Sequence, residues 1–351
     1  MKNYKNGLSG IIRAKNEGRF LSLCIDSCVN SLDELIVVYN DCSDDTEFVL
    51  AEKVKQYPNK LKVYPFNNHI LSHNLSKEEF DYAISLPEDS VRLHSTQCNY
   101  ALSKVTYKYA MKIDPDQIYF ADEIRKWRNV CCMKETLYWN PSFVLGWFFM
   151  MYISAYRRIS SKLGYPFVKM LPDKLVSFFK SYYSVYIKWK LQKEKTAISF
   201  SGVNLFYDNN WTIPFDNFNV NPPYNGEGDT LLFRLSEKTF FSRYYNKDKR
   251  PYAVVEKFNH PYKVVLSDNP IWFHLHANRT YCVEKVKNVK KEHPELFVSV
   301  NDFLKMSYTD VLKKMDPQVN TLYQRILFAL VHKMGLNTIR KHLPLLEKIK
   351  I

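Results

Sequence analysis

The feature that most constrains the fold is an alternation of apolar and amphipathic segments within the first 65 residues. Short apolar runs at 8–14, 34–39 and 61–64 predict three buried strands. The segments between them, 20–30 and 46–56, carry apolar residues at helical spacing and predict two helices. Strand, helix, strand, helix and strand in this order indicate a doubly wound α/β sheet whose strands are mostly parallel.

Composition and cysteine usage exclude several classes of protein. With 351 residues, 46% hydrophobic and 25% charged, the chain fits one large α/β domain with additions rather than a disordered protein. Seven scattered cysteines without a CxxC pair argue against a disulfide scaffold or a structural zinc site. The N-terminus lacks an apolar signal stretch, and the longest nearly apolar run, 143–156, is shorter than the roughly 20 residues of a membrane-spanning helix. We therefore expect a cytoplasmic protein, soluble or peripheral to a membrane.

The formal net charge of +14 is concentrated in two segments. Residues 157–195 hold ten Lys and Arg against two acidic residues, a net charge of +8, and 318–351 hold six against one, a net charge of +5. Basic segments rich in bulky apolar residues fit an anionic membrane surface, and the alternative is a solvated helix face. The sequence contains no helix-turn-helix, zinc-finger or RNP signature, so we expect no nucleic-acid partner.

Polar turns follow two of the predicted strands. The turn from Asn40 to Thr46 follows the second strand, and Asp114-Pro115-Asp116 follows an expected strand over 109–113. Open α/β sheets bind ligands at the carboxyl ends of their strands. Two carboxylates one residue apart can share a divalent cation that neutralises a diphosphate. Either turn could instead serve only to cap the helix that follows it.

Two patterns lie later in the chain. His274 and His276 alternate in a predicted strand and so share one face, where they could bind a metal or a phosphate, or simply be surface residues. A zinc hydrolase would need a third ligand, and no HExxH motif is present. Glu227 and Asp229 lie in a glycine-containing turn before an expected helix starting at 231–235, so each is a candidate general base or a helix cap.

Taken together, the motifs resemble the nucleotide-sugar half of GT-A glycosyltransferases, especially the family 2-like bacterial enzymes. The resemblance is carried by Ile11-Ile12-Arg13-Ala14-Lys15-Asn16-Glu17, by 36–46 and by Lys112-Ile113-Asp114-Pro115-Asp116-Gln117. It implies a GT-A (Rossmann-like) fold, with a mixed, mostly parallel sheet flanked by helices. A basic helical insertion and a helical C-terminal extension would be added to that sheet.

The resemblance also implies roles for individual residues. It assigns the nucleotide pocket to four residues: Arg13, Ala14, Glu17 and Asn40. It assigns the ribose, the diphosphate and a divalent metal, Mn²⁺ or Mg²⁺, to two aspartates and at least one histidine: Asp114, Asp116, and His274 or His276. Asn40 stands where the family commonly has an aspartate that meets uridine, and Asp116 is the stronger metal ligand of its pair. Asp229 would be the general base, with Glu227 as the alternative.

The implied activity is a metal-dependent, inverting transfer of a hexose or N-acetylhexosamine from a UDP-sugar. The acceptor would be a hydroxyl of a lipid-linked, lipopolysaccharide or capsule glycan, met on the inner face of a bacterial inner membrane. The alternatives are a non-catalytic, membrane-peripheral nucleotide- or glycan-binding protein and a metal-dependent hydrolase that uses the same carboxylates. The predicted organisation is a nucleotide-sugar half (1–142), a basic aromatic-rich helical insertion (143–198), an acceptor-binding and catalytic half (199–310) and a basic amphipathic helical segment (311–351).

Overall fold

A computed structural model describes residues 4–134, 137–163, 172–193, 196–215, 222–226, 229–314, 331–332 and 335–349. The strands formed by these residues are β1 (Lys5–Ala14), β2 (Glu34–Tyr39), β3 (Leu61–Pro65), β4 (Tyr107–Ile113), β5 (Gln117–Tyr119), β6 (Ala197–Asn204), β7 (Phe206–Asp208), β8 (Asn210–Pro214), β9 (Tyr224–Asn225), β10 (Leu231–Arg234), β11 (Phe240–Tyr245), β12 (Val254–Asn259), β13 (Val264–His274) and β14 (Phe297–Ser299). The helices are α1 (Gly18–Cys28), α2 (Thr46–Gln56), α3 (Lys77–Ser85), α4 (His94–Ser103), α5 (Ala121–Cys132), α6 (Phe143–Leu163), α7 (Asp173–Gln192), α8 (Thr280–Glu292), α9 (Val300–Phe303) and α10 (Tyr308–Lys314).

The chain divides into two compact units. The first unit comprises Met1–Pro115, Ile124–Lys134 and Leu232–Lys263. The second unit comprises Asp116–Glu123, Glu135–Leu231 and Val264–Ile351. These boundaries differ from the four segments predicted from sequence, and that four-part organisation stays a prediction.

In the first unit, five strands lie side by side in the order β3-β2-β1-β4-β10. The β1–β2, β2–β3 and β1–β4 pairs are parallel, and β10 is antiparallel to β4. The strands are apolar because both faces of this sheet are covered, and α1 buries Phe20, Leu21, Cys24, Ile25 and Cys28. The predicted α/β class, with a mostly parallel sheet flanked by helices, is confirmed. Parallel pairing brings the residues that follow β1, β2 and β4 to the same edge of the sheet.

In the second unit, β6, β13 and β5 are neighbours, and β9 pairs with β6. The register sets His274 opposite Asn204 on β6 and opposite Gln117 on β5. A separate three-stranded sheet has the order β14-β8-β7. The carboxyl end of β13 therefore meets the start of β5 and the end of β6 at one point, and the candidate site of this unit lies there.

Two secondary-structure predictions are wrong, and the first concerns His276, which was expected in a strand with His274 but lies in a 3₁₀ turn after β13. Residues 231–235 were expected to begin a helix, but Leu231–Arg234 form β10, with Leu232 paired to Met111 of β4. A run of four or five mostly apolar residues is too short for its periodicity to separate a strand from a helix. Here the backbone pairing with β4 decides for the strand. Asp229 therefore precedes a strand rather than capping a helix.

The helices predicted in the basic segment are present. Residues 143–163 and 173–192 form α6 and α7, and the two helices pack against each other. Gly146 allows their close approach, because a Cβ there would lie 2.5 Å from the Tyr186 Cβ. About half of the predicted C-terminal basic segment 311–351, including 315–330, lies outside the described residues. Among the helices that the structure describes, none combines the length and apolarity required to cross a bilayer.

We predict that Gly202→Ala destabilises the protein by about 3 kcal/mol, through steric overlap in the core of the second unit. A Cβ at position 202 would lie 2.0 Å from Nε1 of Trp272, whose side chain is completely buried. The measurement is the free energy of unfolding in urea.

The matched control is Ser201→Ala in the same strand. The buried Oγ of Ser201 has no hydrogen-bond partner among the described residues, so its loss should change stability by less than about 1 kcal/mol. Equal stabilities of the two variants would contradict the close packing of Gly202 against Trp272.

Candidate functional site

A buried carboxylate, Asp116, is the centre of the candidate site in the second unit. Its Oδ2 lies 3.4 Å from His274 Nε2 and 3.5 Å from His276 Nδ1, and it accepts a hydrogen bond from Arg279 Nε at 3.0 Å. Asp116 immediately precedes β5, and His274 is the last residue of β13. His276 and Arg279 follow in a short 3₁₀ turn and its C-cap, so the two histidines share Asp116 although only His274 lies in the strand.

The charge of Asp116 is maintained by its neighbours. Burial by itself raises the pKa of this carboxyl group, but His274 and Arg279 outweigh that effect and hold the pKa well below its usual range. The side chain is only 5% exposed, so removing these nitrogen groups would leave a buried, uncompensated carboxylate.

A chain of two hydrogen bonds fixes the tautomer of the neutral His274 ring. The Asn204 amide donates through Nδ2 to the Pro222 carbonyl, which leaves its Oδ1 as the acceptor 2.6 Å from His274 Nδ1. The Nδ1 atom therefore carries the proton when the ring is neutral, and the Nε2 lone pair is directed at Asp116. Two acceptor atoms 3.4 Å apart require a proton or a cation between them.

These side chains fit a divalent metal ion. The ligand atoms of Asp116, His274 and His276 all lie within 4.8 Å of one another. The set joins one carboxylate to two imidazoles, a combination that suits Mn²⁺ better than the oxygen-preferring Mg²⁺. The bond from Asn204 is the kind of second contact that fixes the ring of a metal-binding histidine.

Asp229 is connected to the same cluster. The Asn225 amide lies between the two, with its Nδ2 donating to Asp229 Oδ2 and lying 3.1 Å from His274 Nδ1. Asn225 is held in turn, because its Oδ1 accepts from the Gly226 N–H at 2.9 Å. The other candidate base, Glu227, lies outside the described residues.

The first unit contains a second buried ionic cluster, which includes Arg13 and Asp114. Arg13 donates through Nη2 to Asp114 Oδ1 at 3.0 Å and through Nη1 to Glu256 Oε1 at 2.7 Å. Glu256 also lies 3.0 Å from Lys112 Nζ and 3.0 Å from His94 Nδ1. The cluster ties β1, β4, β12 and α4 together.

Cys98 completes this cluster one helical turn after His94, with its Sγ 3.3 Å from Arg13 Nη1. Burial raises the pKa of the Cys98 thiol, but His94 and Arg13 outweigh it and lower the pKa. Burial acts in the opposite direction on His94, where Cys98 and Glu256 outweigh it and raise the pKa to about 10. The cluster thus sets the basic side chains of Arg13, Lys112 and His94 against two carboxylates and the Cys98 thiol.

Cysteine, histidine and glutamate are also metal-ligand types, and their ligand atoms in this cluster lie within 4.8 Å of one another. Two permanently charged side chains, Arg13 and Lys112, already contact Glu256. A divalent ion would add positive charge beside both of them, whereas the cluster around Asp116 contains one permanent cation, Arg279, and two imidazoles that can be neutral. The cluster around Asp116 is therefore the better candidate metal centre.

The remaining residues of the expected nucleotide pocket lie at the carboxyl edge of the first sheet. Ala14 ends β1 and is buried, and the Glu17 N–H donates to Thr46 Oγ1 at 2.7 Å. Asn40 is 3% exposed, and its amide accepts from Gln97 Nε2 at 2.8 Å and donates to the Asn68 carbonyl. Its amide is thus engaged within the protein.

The neighbouring turn residue Asp41 is exposed and was not selected from the sequence. It has a positive φ of 44°, and its Oδ2 lies 2.6 Å from His69 Nδ1 and 3.3 Å from Lys15 Nζ. These two hydrogen bonds lower the pKa of Asp41. A charged, solvent-accessible group therefore follows β2 directly after the buried Asn40.

The structure thus brings Asp116 together with His274 and His276, and Asp114 together with Arg13. Asp114 belongs to the first unit and Asp116 to the second. Sequence reasoning missed six residues that shape the clusters: His94, Cys98, Asn204, Asn225, Glu256 and Arg279. The one local signal was the spacing of His94 and Cys98, which are four residues apart and share a face of α4.

We predict that Glu256→Gln destabilises the protein by about 3–5 kcal/mol, because it removes the carboxylate that compensates three buried cations. The measurement is urea unfolding at neutral pH. The control is Glu52→Gln, which breaks an exposed ion pair with Lys55 and should cost less than about 1 kcal/mol. A cost for Glu256→Gln as small as that of the control would show that the cluster does not stabilise the first unit.

Comparison with known proteins gives one family match. Residues 2–135 match the family described as Beta-1,4-N-acetylgalactosaminyltransferase (CgtA). No match was found among curated proteins.

Solved structures of glucosyl-3-phosphoglycerate synthase from Mycobacterium tuberculosis were also found. The complex with Mg²⁺ and uridine-diphosphate is 19% identical, with a TM-score of 0.21. The complex with Mn²⁺ and uridine-diphosphate-glucose is 21% identical, with the same TM-score. Each match covers 32% of this chain and spans about a third, 34%, of the synthase chain.

The family match covers all the motifs on which the resemblance rests: 11–17, 36–46 and 112–117. Residues 2–135 are therefore similar to a glycosyltransferase family, which agrees with the resemblance inferred from the motifs.

Proposed function

We propose that the protein is a metal-dependent, inverting glycosyltransferase that moves a hexose or N-acetylhexosamine from a UDP-sugar to a hydroxyl of a glycan acceptor. The observation that carries the proposal is the buried Asp116 carboxylate with two imidazoles, in a chain whose first 135 residues match a glycosyltransferase family. The carboxylate directly follows the Asp114-Pro115 turn at a strand end, where α/β sheets bind ligands.

In this proposal Asp116, His274 and His276 hold the divalent metal. A bound Mn²⁺ or Mg²⁺ would supply the positive charge that a departing diphosphate needs. Asn204 keeps the His274 ring in one orientation, and Arg279 keeps Asp116 ionised. The protein's own contribution is a set of ligands that is fixed before the donor arrives.

Asp229 is our candidate general base. It would accept the proton of the acceptor hydroxyl as that oxygen attacks C1 on the face opposite the leaving diphosphate. The hydrogen bond from Asn225 fixes the carboxylate, and the same amide nitrogen lies 3.1 Å from His274 Nδ1. Glu227 remains the alternative base.

For the nucleotide, we propose contacts from Arg13, Ala14, Glu17, Asn40 and Asp114. Of these, Arg13 is already neutralised by Asp114 and Glu256, so it would position the donor rather than balance its charge. Because the Asn40 amide is engaged, the exposed carboxylate of Asp41 is the better candidate for a base contact.

We further propose that the acceptor is a lipid-linked, lipopolysaccharide or capsule glycan and that the enzyme works on the inner face of a bacterial inner membrane. The support is the location of the charge, because two basic segments account for 13 of the 14 net positive charges. Basic segments of this kind favour an anionic bilayer surface.

We predict that removing the metal or its carboxylate abolishes transfer. Chelation by EDTA should stop UDP release, and Mn²⁺ should restore it more fully than Mg²⁺. Asp116→Asn should lower kcat by about 10²-fold or more, as loss of one electrostatic group at a transition state commonly does. The measurement is UDP release with a donor panel.

The matched control is Asp310→Asn, an exposed aspartate in α10. It should leave turnover unchanged, and circular dichroism should find both variants folded. Undiminished, metal-independent turnover by Asp116→Asn would rule out the metal role.

We predict that Asp229→Asn lowers kcat by about 10²–10⁴-fold and leaves UDP affinity nearly unchanged, since the base acts on the acceptor hydroxyl. Glu227→Gln made in parallel should have the smaller effect. The measurements are transfer rate and UDP binding by calorimetry. A larger loss of rate in Glu227→Gln would reassign the base.

The experiment that tests the whole proposal is UDP-sugar consumption with and without glycan acceptors. A transferase consumes donor when an acceptor is present. Sugar release to water at the same rate without acceptor would indicate a hydrolase, and UDP binding without donor consumption would indicate a binding protein.

A further inference from the structure

Exposed apolar side chains are concentrated in one part of the second unit. Twenty large apolar residues are exposed in the part of the chain that the structure describes, and nine of them lie between 138 and 185. Large exposed apolar groups grouped in this way are uncommon on soluble proteins and mark interaction surfaces. The nine include Tyr138 and Trp139, in the segment that leads into α6, with 81% and 62% of their surface exposed.

Helix α6 presents an apolar stripe to solvent. Its exposed residues Val144, Trp147, Phe148 and Met151 follow the spacing i, i+3, i+4 and i+7 and so lie on one face. The opposite face is already used, because Phe143 and Phe149 are buried and contact Tyr186, Phe179 and Tyr183 of α7. The exposed stripe is therefore separate from the side of α6 that packs against α7.

Helix α7 has a second exposed stripe, formed by Leu175, Phe178 and Val185. The half-buried Tyr182 lies on the same face and contacts Phe178, with 5.3 Å between ring centroids. The adjoining side of α7 packs against α6 and contains the buried Tyr183 and Tyr186. Each helix of the pair thus has one buried and one exposed apolar face.

The excess of basic residues in α6 and α7 indicates that the exposed stripes bind an anionic surface. Across 137–163 and 172–193 there are eight Lys and Arg but a single acidic residue, Asp173. The Lys190 ammonium reaches across to α6, 3.7 Å from Met150 Sδ, so a cationic group lies at the junction of the two helices. Exposed Trp, Tyr and Phe beside lysines are what an anionic bilayer interface attracts.

We propose that the exposed stripes of α6 and α7, with Tyr138 and Trp139, dock the protein on an anionic lipid bilayer. The helices lie in the interface with their apolar stripes at the boundary between headgroups and acyl chains, and with exposed lysines such as Lys174 and Lys193 among the lipid phosphates. This inference rests on the proposed function in one respect: the docking surface would hold the enzyme where lipid-linked acceptors are found.

The test is flotation of the full-length protein with vesicles of phosphatidylcholine alone or mixed with phosphatidylglycerol. The stripe variant is Trp147→Ser, Phe148→Ser and Met151→Ser combined. The matched control changes three exposed apolar residues of the first unit, Phe48→Ser, Tyr82→Ser and Val91→Ser. Circular dichroism checks folding, and UDP-sugar consumption without lipid reports the active site independently.

We expect the wild type to bind the mixed vesicles about tenfold or more tightly than the neutral ones, and the stripe variant to bind about tenfold or more weakly than the wild type. The control variant should stay within about twofold, and quenching by brominated acyl chains should report Trp139 and Trp147 in the wild type. All three proteins should consume donor equally in solution.

Two results would overturn the docking surface. One is a failure of the stripes to matter for vesicle binding, seen either as equal binding by the wild type and the stripe variant or as no binding by the wild type. The other is a wild-type dimer in light scattering that the stripe variant turns into a monomer without vesicle binding, because a second copy would then cover the stripes. Loss of donor consumption in the wild type would count against the proposed transferase and leave the flotation result intact.

Discussion

Each unit of the structure buries a carboxylate, and the rest of the unit must stabilise the charge of that group. Transfer of an ionised carboxyl group out of water is highly unfavourable unless charge and hydrogen bonds replace the solvent. Glu256 in the first unit and Asp116 in the second each gather three nitrogen groups. The groups differ in kind. Two of those around Glu256 are permanent cations, whereas two of those around Asp116 are imidazoles that can be neutral.

That difference separates a structural cluster from a candidate reactive one. Arg13 keeps its charge near neutral pH, and Lys112 is paired with the same carboxylate, so we expect the main effect of the Glu256 cluster to be on stability. His274 and His276 can each offer a lone pair instead of a proton, and the bond to Asn204 directs the lone pair of His274 at Asp116. Such a cluster can exchange protons for a metal ion, which a closed ion cluster cannot do.

The sequence was informative where a property repeats along the chain. Apolar runs and helical spacing predicted β1, β2, β3 and the buried face of α1, because each pattern is local. It was ambiguous at Leu231–Arg234, where four residues cannot distinguish two periods and the pairing with β4 decides. The candidate ligands Asp116 and His274 were found because the ends of predicted strands are local signals too, whereas His276 reaches the cluster from a 3₁₀ turn that the sequence pattern did not predict.

The rest of the site could not be found because it is assembled by pairing between distant segments. Arg279 lies 163 residues from Asp116 in sequence, and Glu256 lies 243 residues from Arg13. Asn204 and Asn225 are ordinary amides whose importance appears only when strand register sets them against His274.

The same long-range contacts change how the Asp-Pro-Asp turn is understood. Asp114 is paired to Arg13, and Arg13 is paired again to Glu256, so neither the carboxylate nor the guanidinium is left with uncompensated charge. A donor diphosphate brings negative charge that a neutral arrangement of this kind cannot offset. In the proposed mechanism the offsetting charge would come from Arg279 and from a metal held by Asp116, His274 and His276. On that proposal, two aspartates that look equivalent in sequence would have different roles, Asp114 in positioning the donor and Asp116 in charge stabilisation.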